Sequence, residues 1–189
     1  MKIFYFFLVF FTFFLFSETK SLEIKILATV NNQTISNYDF FVEIKTQELL
    51  NNKIINEFQH KQILRQMIDE LIKKVETDNN NITADKNILK IKYNEILAKY
   101  PDEVKIDNQI KQNIKFKIEN SIKWNNLILT KYRTKIALNK NEIDQIIKSQ
   151  NLSEEEREKI TILEKNKKLS VFSKTHFNQI KKKYFVKYF

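Results

Sequence analysis

The chain contains no glycine and no cysteine, and it has a single proline, Pro101. Glycine lets a backbone approach a phosphate or take positive φ angles, so its absence argues against P-loops, dinucleotide-binding crevices and common oxyanion-hole loops. The lack of cysteine excludes disulfides, thiol nucleophiles, zinc–thiolate sites and a lipoprotein anchor. These absences favour a domain of helices with polar connections, stabilised by its apolar core alone.

Residues 1–21 have the pattern of a secretory signal peptide. Lys2 supplies a positive charge, residues 3–16 are apolar except for Thr12, and small residues surround a cleavage point after Ser21. The apolar stretch is short for a bilayer crossing, which takes about 20 residues. An uncleaved membrane anchor is the alternative interpretation. Either way, the sequence predicts that residues 22–189 are exported to the periplasm.

The chain is strongly basic, with 33 lysines and arginines against 23 acidic residues and a formal charge of +10. In a protein inside the cell this charge would suggest a nucleic-acid partner. Behind a signal peptide, anionic membrane surfaces or acidic protein segments are the better candidates, and no nucleic-acid partner is expected. The lysines are also spread along all predicted helices, as on an ordinary solvated surface.

The first stretch after the leader predicts a strand, a turn, a very short second strand and a helix start. Ile24–Val30 is rich in β-branched and aliphatic residues. Asn31 and Asn32 tolerate the left-handed backbone conformation that a hairpin turn requires. Ser36 stands three residues before Asp39, which is the spacing of a helix-capping box.

Apolar periodicity predicts that most of the remaining chain is helical. Caps at Thr83, Asn139 and Ser153 start three of these helices, and Ile136–Leu138 reads as a short extended piece. The predicted helices run from Ser36 to about Asn51, from about Glu57 to Thr77, from Thr83 to Tyr100, from about Asn108 to Thr134, from Asn139 to Ile147, and from Ser153 toward the C-terminus.

The last six residues, Tyr184–Phe189, are aromatic and β-prone. An apolar strand left unpaired at a terminus is an aggregation hazard, so this segment needs a partner. Ile24–Val30 is the only other substantial strand that the sequence offers. We therefore expect the two ends of the exported chain to meet in one small ribbon.

Several segments resemble the SurA-type periplasmic chaperones. Ala28–Asp39 is similar to the opening of that family, which has a strand, a Val-Asn turn and an Ile-Ser/Thr-x-x-Asp helix start. Ile63–Ile72 resembles the second helix, and Ile122–Ile128 followed by Ile136–Ile143 resembles the long helix and its exit. Glu154–Phe189 resembles the end of the family, which packs back onto the N-terminal part.

The resemblance implies a mainly α fold: a multi-helix bundle with a small β ribbon, like the SurA N-terminal domain or the trigger-factor C-terminal domain. Residues 22–147 would form the core of a single domain, 22–189, and residues 153–189 would return to it. The parvulin prolyl isomerase domain of the family is missing, because only Lys148–Leu152 lies between these two pieces. No catalytic residue is therefore carried over.

The resemblance implies an ATP-independent periplasmic holdase for unfolded outer-membrane or secreted polypeptides. Two alternatives remain open: a degenerate or partner-dependent prolyl isomerase relative, and a membrane-anchored basic structural protein. Some apolar residues lie off the main apolar stripes of their helices. Either those helices are buried on two sides, or the residues form an exposed groove that binds clients. These candidates are Tyr38, Val42, Leu49, Ile88, Ile91, Phe116 and Leu127.

Residues for catalysis or metal binding do not form a recognisable pattern. His60 and His176 lie on different helices without metal-ligand spacing, and we expect both to lie at the surface. The run Glu154–Glu156 marks a helix N-terminus, where acidic side chains interact favourably with the helix dipole. Because no nucleophile is paired with a base, we predict a non-enzyme without a metal or cofactor.

Overall fold

A computed structural model of the protein describes residues 23–100, 106–149, 153 and 156–189, so the predicted signal peptide lies outside the described residues. The described part is mainly helical with one small antiparallel sheet, which confirms the predicted fold class. The elements are β1 (Ile26–Val30), β2 (Gln33–Ser36), α1 (Asn37–Asn51), α2 (Glu57–Asn79), α3 (Lys86–Leu97), α4 (Asn108–Lys131), α5 (Arg133–Ile136), α6 (Lys140–Ser149), α7 (Arg157–Ile180), a 3₁₀ turn (Lys181–Lys183) and β3 (Val186–Tyr188).

The hairpin and the start of α1 form as the sequence predicts. β1 and β2 pair antiparallel, and Asn31 takes the left-handed conformation in their turn, with φ of 50°. The Ser36 Oγ accepts a hydrogen bond from the Asp39 amide at 3.1 Å, and the Asp39 carboxylate accepts one from the Ser36 amide at 2.9 Å. This reciprocal pair is the predicted capping box.

The C-terminus returns to the first strand. β3 pairs antiparallel with β1, with Val186 opposite Val30, and the strand order in the sheet is β2-β1-β3. The Phe189 amide also donates to the Leu27 carbonyl at 3.1 Å. The predicted meeting of the two ends is therefore confirmed, and it gives the apolar terminal segment a partner.

The predicted boundaries of α3 are wrong. The helix begins after Asp85 rather than Thr83, because the Asp85 carboxylate accepts from the amides of Asn87 at 2.7 Å and Ile88 at 3.0 Å. Two N–H groups of the first turn thus gain a charged acceptor. At its other end the helix stops at Leu97, short of the predicted Tyr100.

The predicted extended segment Ile136–Leu138 begins one residue too early, because Ile136 is helical whereas Ala137 has an extended backbone (φ −56°, ψ 135°). The main helix ends at Lys131, and Arg133–Ile136 forms a separate helical turn. The amides of Lys135 and Ile136 both donate to the Tyr132 carbonyl at 2.9 Å. Ile136 is buried in the core, so the turn is stabilised by packing that a local propensity argument does not include.

Helix α4 is the centre of the bundle and contacts α1, α2, α3 and α7. Its residues contribute to both apolar clusters of the protein. The larger cluster joins the sheet, α2, α4 and α7, and its buried members are Ala28, Val30, Ile35, Ile68, Ile72, Trp124, Leu127, Ile128, Ile136 and Ile180. The smaller cluster is formed by Ile114, Ile118 and Ile122, against which side chains of α1 and α3 pack.

Candidate functional site

An open cleft lies between β2, α1, α2 and α4 and encloses about 400 Å³. We call it the apolar cleft, after the wall that dominates one side of it. On α1, Tyr38 and Val42 are one helical turn apart and therefore point in the same direction. The apolar wall consists of Ile35, Tyr38, Val42, Met67, Leu71 and Phe116.

Side-chain amides also line the apolar cleft. Gln109, Gln112 and Asn113 come from the first turns of α4, and Gln33 comes from β2. A side-chain amide offers hydrogen-bond donors and an acceptor, but the amide nitrogen of Asn113 already donates to Glu43 and Thr46. Strand β2 also lines the cleft, through Gln33, Thr34 and Ile35. Within the described residues, β2 is an edge strand that pairs only with β1. The cleft thus combines an apolar wall with groups that can bond to a peptide backbone.

Glu43 and Glu70 of the cleft lining form a partly buried charge cluster with Lys117, and we call this part of the cleft its floor. The Lys117 ammonium lies 2.7 Å from a Glu43 carboxylate oxygen and 3.0 Å from one of Glu70. Asn113 donates to the other Glu43 oxygen at 2.8 Å and to Thr46 Oγ1 at 2.9 Å. The hydrogen bonds of Glu43 compensate for the water that it loses on burial.

The charge cluster has two carboxylates for one ammonium. Burial disfavours the Lys117 charge, but the neighbouring carboxylates of Glu70 and Glu43 outweigh that effect and raise the pKa of Lys117. Lys74, also in the lining, pairs with Asp78 at 2.8 Å. The apolar cleft of this basic protein therefore has an acidic floor.

The structure separates the seven residues that we predicted to bind clients. Tyr38, Val42 and Phe116 come together in the apolar cleft. Leu49 is partly buried and packs against the smaller cluster instead. Ile88 and Ile91 are exposed, at 44% and 57%, but they lie on α3 and do not line the cleft.

Leu127, which we also predicted as a client-binding residue, is only 1% exposed and belongs to the larger cluster. The helical pattern places Leu127 off the main stripe of α4, and a helix with one buried face would leave it in solvent. α4 has neighbours on several sides. Burial on two sides, which the sequence left open, is the correct interpretation for Leu127.

Several residues of the site were not found by sequence reasoning. Met67 and Leu71 read as ordinary members of the α2 core stripe, and Ile35 as part of a short strand. Glu43 and Lys117 are 74 residues apart, and no local spacing links them. The sequence did contain one indication that Asn113 and Lys117 could contact the same partner. They are one helical turn apart on α4 and therefore lie on one face of that helix.

A second polar cluster surrounds His176, which is 5% exposed, so the prediction of a surface histidine is wrong. The Tyr132 hydroxyl lies 3.1 Å from Nδ1, and the Glu76 carboxylate lies 3.7 Å from Nε2. Glu76 also accepts from the Tyr184 hydroxyl at 2.7 Å and from the Lys131 ammonium at 3.3 Å. These contacts connect α2, α4, α7 and the C-terminal segment, so we call the five residues the C-terminal clamp.

Charges in the C-terminal clamp are set by burial and by hydrogen bonds. Burial, together with the Lys131 charge, lowers the pKa of His176 despite the nearby Glu76 carboxylate. Burial alone would raise the pKa of Glu76, but hydrogen bonds from Tyr184 and Lys131 lower it. At neutral pH the clamp therefore holds a neutral imidazole beside an ionised carboxylate.

Neither polar cluster contains the residues of a metal site. Within the described ranges, no group of three or more His, Asp or Glu side chains could hold a metal ion. The helices in the same ranges are too short or too polar to cross a membrane.

No protein-family model matches the chain, and no curated protein has a significant sequence match to it.

Proposed function

We propose that this protein is an ATP-independent periplasmic chaperone of the SurA type, which holds unfolded envelope polypeptides in the apolar cleft. The observation that carries the proposal is the open apolar wall around Tyr38, Val42 and Phe116. Tyr38 and Phe116 are each 37% exposed although both belong to helices that pack in the bundle. A soluble domain gains stability by covering such side chains, so leaving them open favours a binding role.

The bound segment would be extended and would need no particular sequence. Its apolar side chains would contact the wall, while its backbone would bond to the amides of Gln109 and Gln112. The outer edge of β2 offers a further row of backbone groups, as in proteins that bind peptides by adding a strand. Backbone recognition of this kind is independent of side-chain identity, which is what a holdase requires.

The acidic floor indicates which segments bind best. Glu43 and Glu70 exceed the single Lys117 charge, and the one lysine in the lining, Lys74, is neutralised by Asp78. An apolar segment that carries lysine or arginine would gain a favourable field, whereas an acidic segment would be repelled. We therefore expect neutral or basic apolar clients.

One feature of the architecture supports the SurA-type assignment, and another limits the proposed activity to holding a client. The β1–β3 pairing brings the C-terminal segment back to the start of the exported chain, which is what the resemblance implies for that family. The chain between Ser149 at the end of α6 and Ser153 is too short for an isomerase domain. The proposed activity is therefore reversible burial of client surface, without a covalent step.

Light scattering by a urea-unfolded outer-membrane barrel protein on dilution tests the proposal. We expect the wild-type protein at equimolar ratio to suppress aggregation, and the Val42→Ser/Phe116→Ser variant to lose most of this effect. The matched control is Ile54→Ser/Val171→Ser, at sites 84% and 62% exposed and outside the cleft. Circular dichroism checks that all variants are folded. Absence of suppression by the wild type, or an equal loss in both variants, would refute the proposal.

Export is tested by expressing the complete sequence in a Gram-negative host. We expect the protein in the periplasmic fraction, with the mass of a chain cleaved after Ser21. A protein that keeps residues 1–21 and sediments with the inner membrane would favour the anchored alternative.

A further inference from the structure

The outer edge of β2 presents backbone groups that β1 does not use. On β1, the Asn31 amide donates to the Phe185 carbonyl, so the backbone groups of Asn31 point toward the C-terminal segment. Thr29, two positions earlier, points to the same side, because alternate residues of an antiparallel strand bond to opposite neighbours. Thr34 is the β2 residue opposite Thr29, and it therefore directs its own N–H and C=O groups away from β1.

The open part of this edge is short and centres on Thr34. Thr34 is exposed, and in the described part of the chain no backbone or side-chain group beyond β1 bonds to its N–H or C=O group. At the next outward-facing position, the Ser36 amide already donates to the Asp39 carboxylate at 2.9 Å. Thr34 thus supplies one donor and one acceptor side by side, and the capping box closes the edge after it.

Thr34 also lines the apolar cleft, between Gln33 and Ile35. An antiparallel strand added to β2 would place one client residue opposite Thr34 and its two neighbours opposite Gln33 and Ile35. Directly opposed side chains of a sheet lie on the same face. The client side chain opposite Ile35 would therefore extend toward the apolar wall, to which Ile35 belongs. Backbone pairing and apolar contact are thus compatible in one bound segment.

We propose that the apolar cleft takes an unfolded segment as an antiparallel strand added to β2, with one client residue exchanging two backbone hydrogen bonds with Thr34. This inference rests on the proposed function and assigns the way in which the client is held. The Asp39 carboxylate stands at the end of the edge, because it accepts from both the amide and the hydroxyl of Ser36. A basic client residue opposite Ser36 therefore meets a negative charge.

A short peptide tests the pairing on the wild-type protein. Ac-SKVTVSS-NH2 presents a central threonine between two valines, with a lysine two positions before it. We expect N-methylation of the threonine nitrogen to weaken binding about tenfold, because the methyl group removes the donor to the Thr34 carbonyl. N-methylation of the valine that follows is the matched control. That nitrogen points away from β2, so we expect the Kd to change by less than about threefold. Isothermal titration calorimetry measures these values.

Proline on the two open edges of the sheet locates the added strand. The Thr34 N–H points away from β1, and outward-facing edge positions tolerate proline, so Thr34→Pro removes the donor without breaking the β1–β2 ladder. We expect it to weaken peptide binding about tenfold. Tyr188→Pro is the matched control, because Tyr188 faces outward on β3, at the other edge of the sheet. Thr34→Val keeps the N–H and should bind like the wild type. Circular dichroism checks that the variants are folded.

The amide of Thr34 gives a direct readout in the wild-type protein, which decides the question even if a proline variant does not fold. We expect saturating peptide to slow hydrogen exchange of the Thr34 amide, measured by NMR, because this amide gains an acceptor. The Tyr188 amide, on the other edge, should exchange at an unchanged rate. Slower exchange at Tyr188 but not at Thr34 would place the strand on β3 and would overturn the proposal.

The outcomes separate the strand pairing from the proposed function. Suppose that Val42→Ser/Phe116→Ser loses the peptide, while Thr34→Pro and N-methylation of the threonine have no effect. The cleft would then bind clients without an added strand, and the pairing alone would be overturned. Equal loss from both N-methylated peptides would also overturn it, because the effect would reflect the conformation of the free peptide. A peptide that does not bind the wild type would count against both the pairing and the proposed function.

Discussion

Asn31 and Phe185 are 154 positions apart in the sequence, yet they exchange two hydrogen bonds at the end of the ribbon. The Asn31 amide donates to the Phe185 carbonyl at 2.9 Å, and the Phe185 amide donates to Asn31 Oδ1 at 3.1 Å. The same asparagine provides the left-handed turn between β1 and β2. One residue therefore contributes to both the hairpin, through its backbone, and the return of the C-terminus, through its side chain and its amide.

Substitutions of Asn31 should separate these two roles. Asn31→Gly keeps the backbone conformation but loses the side-chain acceptor, so we expect the free energy of unfolding to fall by about 1 kcal/mol. Asn31→Ala also introduces left-handed strain, and we expect a larger loss, about 2–3 kcal/mol. Urea unfolding measures both values.

Asn32→Ala is the control for the turn, because Asn32 is exposed and makes no side-chain bond to the C-terminal segment. We expect it to change the unfolding free energy by less than about 0.5 kcal/mol. If the alanine and glycine variants of Asn31 were equally stable, the left-handed conformation would not contribute.

The closing of the ribbon could be predicted because it follows from local facts. An apolar, β-prone terminal segment needs a partner, and the sequence contains one other strand of comparable length, Ile24–Val30. The capping box of Ser36 and Asp39 is local too, since its residues are three positions apart. Each of these segments is recognisable from its own residues, and only the pairing of the two strands joins distant parts of the chain.

The apolar cleft could be predicted only in part, because exposure depends on which helices surround each face. Phe116 and Leu127 both lie off the main stripe of α4, and the sequence gives no reason to separate them. The structure leaves Phe116 at the cleft and buries Leu127 against the larger cluster. The pairing of Glu43 with Lys117 likewise depends on how α1 packs on α4, which periodicity does not specify.

Alanine substitutions of Leu127 and Phe116 should therefore differ sharply. We expect Leu127→Ala to reduce the free energy of unfolding by about 3 kcal/mol, because it leaves a cavity in a close-packed region. Phe116→Ala should cost about 1 kcal/mol or less, because its side chain is already partly in water. Urea denaturation followed by circular dichroism gives both values, and similar costs would contradict the assignment of Phe116 to an open surface.

The charge cluster on the cleft floor predicts a strong effect of removing its cation. In Lys117→Met the partly buried carboxylates of Glu43 and Glu70 lose their counter-ion, so we expect a loss of about 3 kcal/mol at neutral pH. Urea unfolding at pH 7 measures this loss.

The neutral triple variant Glu43→Gln/Glu70→Gln/Lys117→Met is the control for the charge cluster. It has similar side-chain volumes and no net charge, so we expect it to be more stable at pH 7 than Lys117→Met alone. If the triple variant were as unstable as the single one, shape rather than charge would explain the effect of the methionine.

The C-terminal clamp predicts a loss of stability in mild acid. Because burial lowers the pKa of His176 below its usual value of 6.5, the unfolded state binds a proton more readily than the folded state. The stabilisation is complete above pH 6.5 and decreases as the pH falls toward the folded-state pKa. Around the imidazole, Lys131 and Lys183 disfavour the proton and Glu76 favours it, while Tyr132 contacts the ring.

Replacing His176 by glutamine should remove this part of the pH dependence. We expect the free energy of unfolding of the wild type to fall between pH 7.5 and pH 5.5, and that of His176→Gln to fall less, because glutamine does not titrate. Glu76 does not account for the difference, since hydrogen bonds from Tyr184 and Lys131 lower its pKa from a usual value of 4.5. Urea unfolding at intervals across this range gives the two slopes. Equal slopes would mean that protonation of His176 is not coupled to the packing of α7 and the C-terminal segment against α2 and α4.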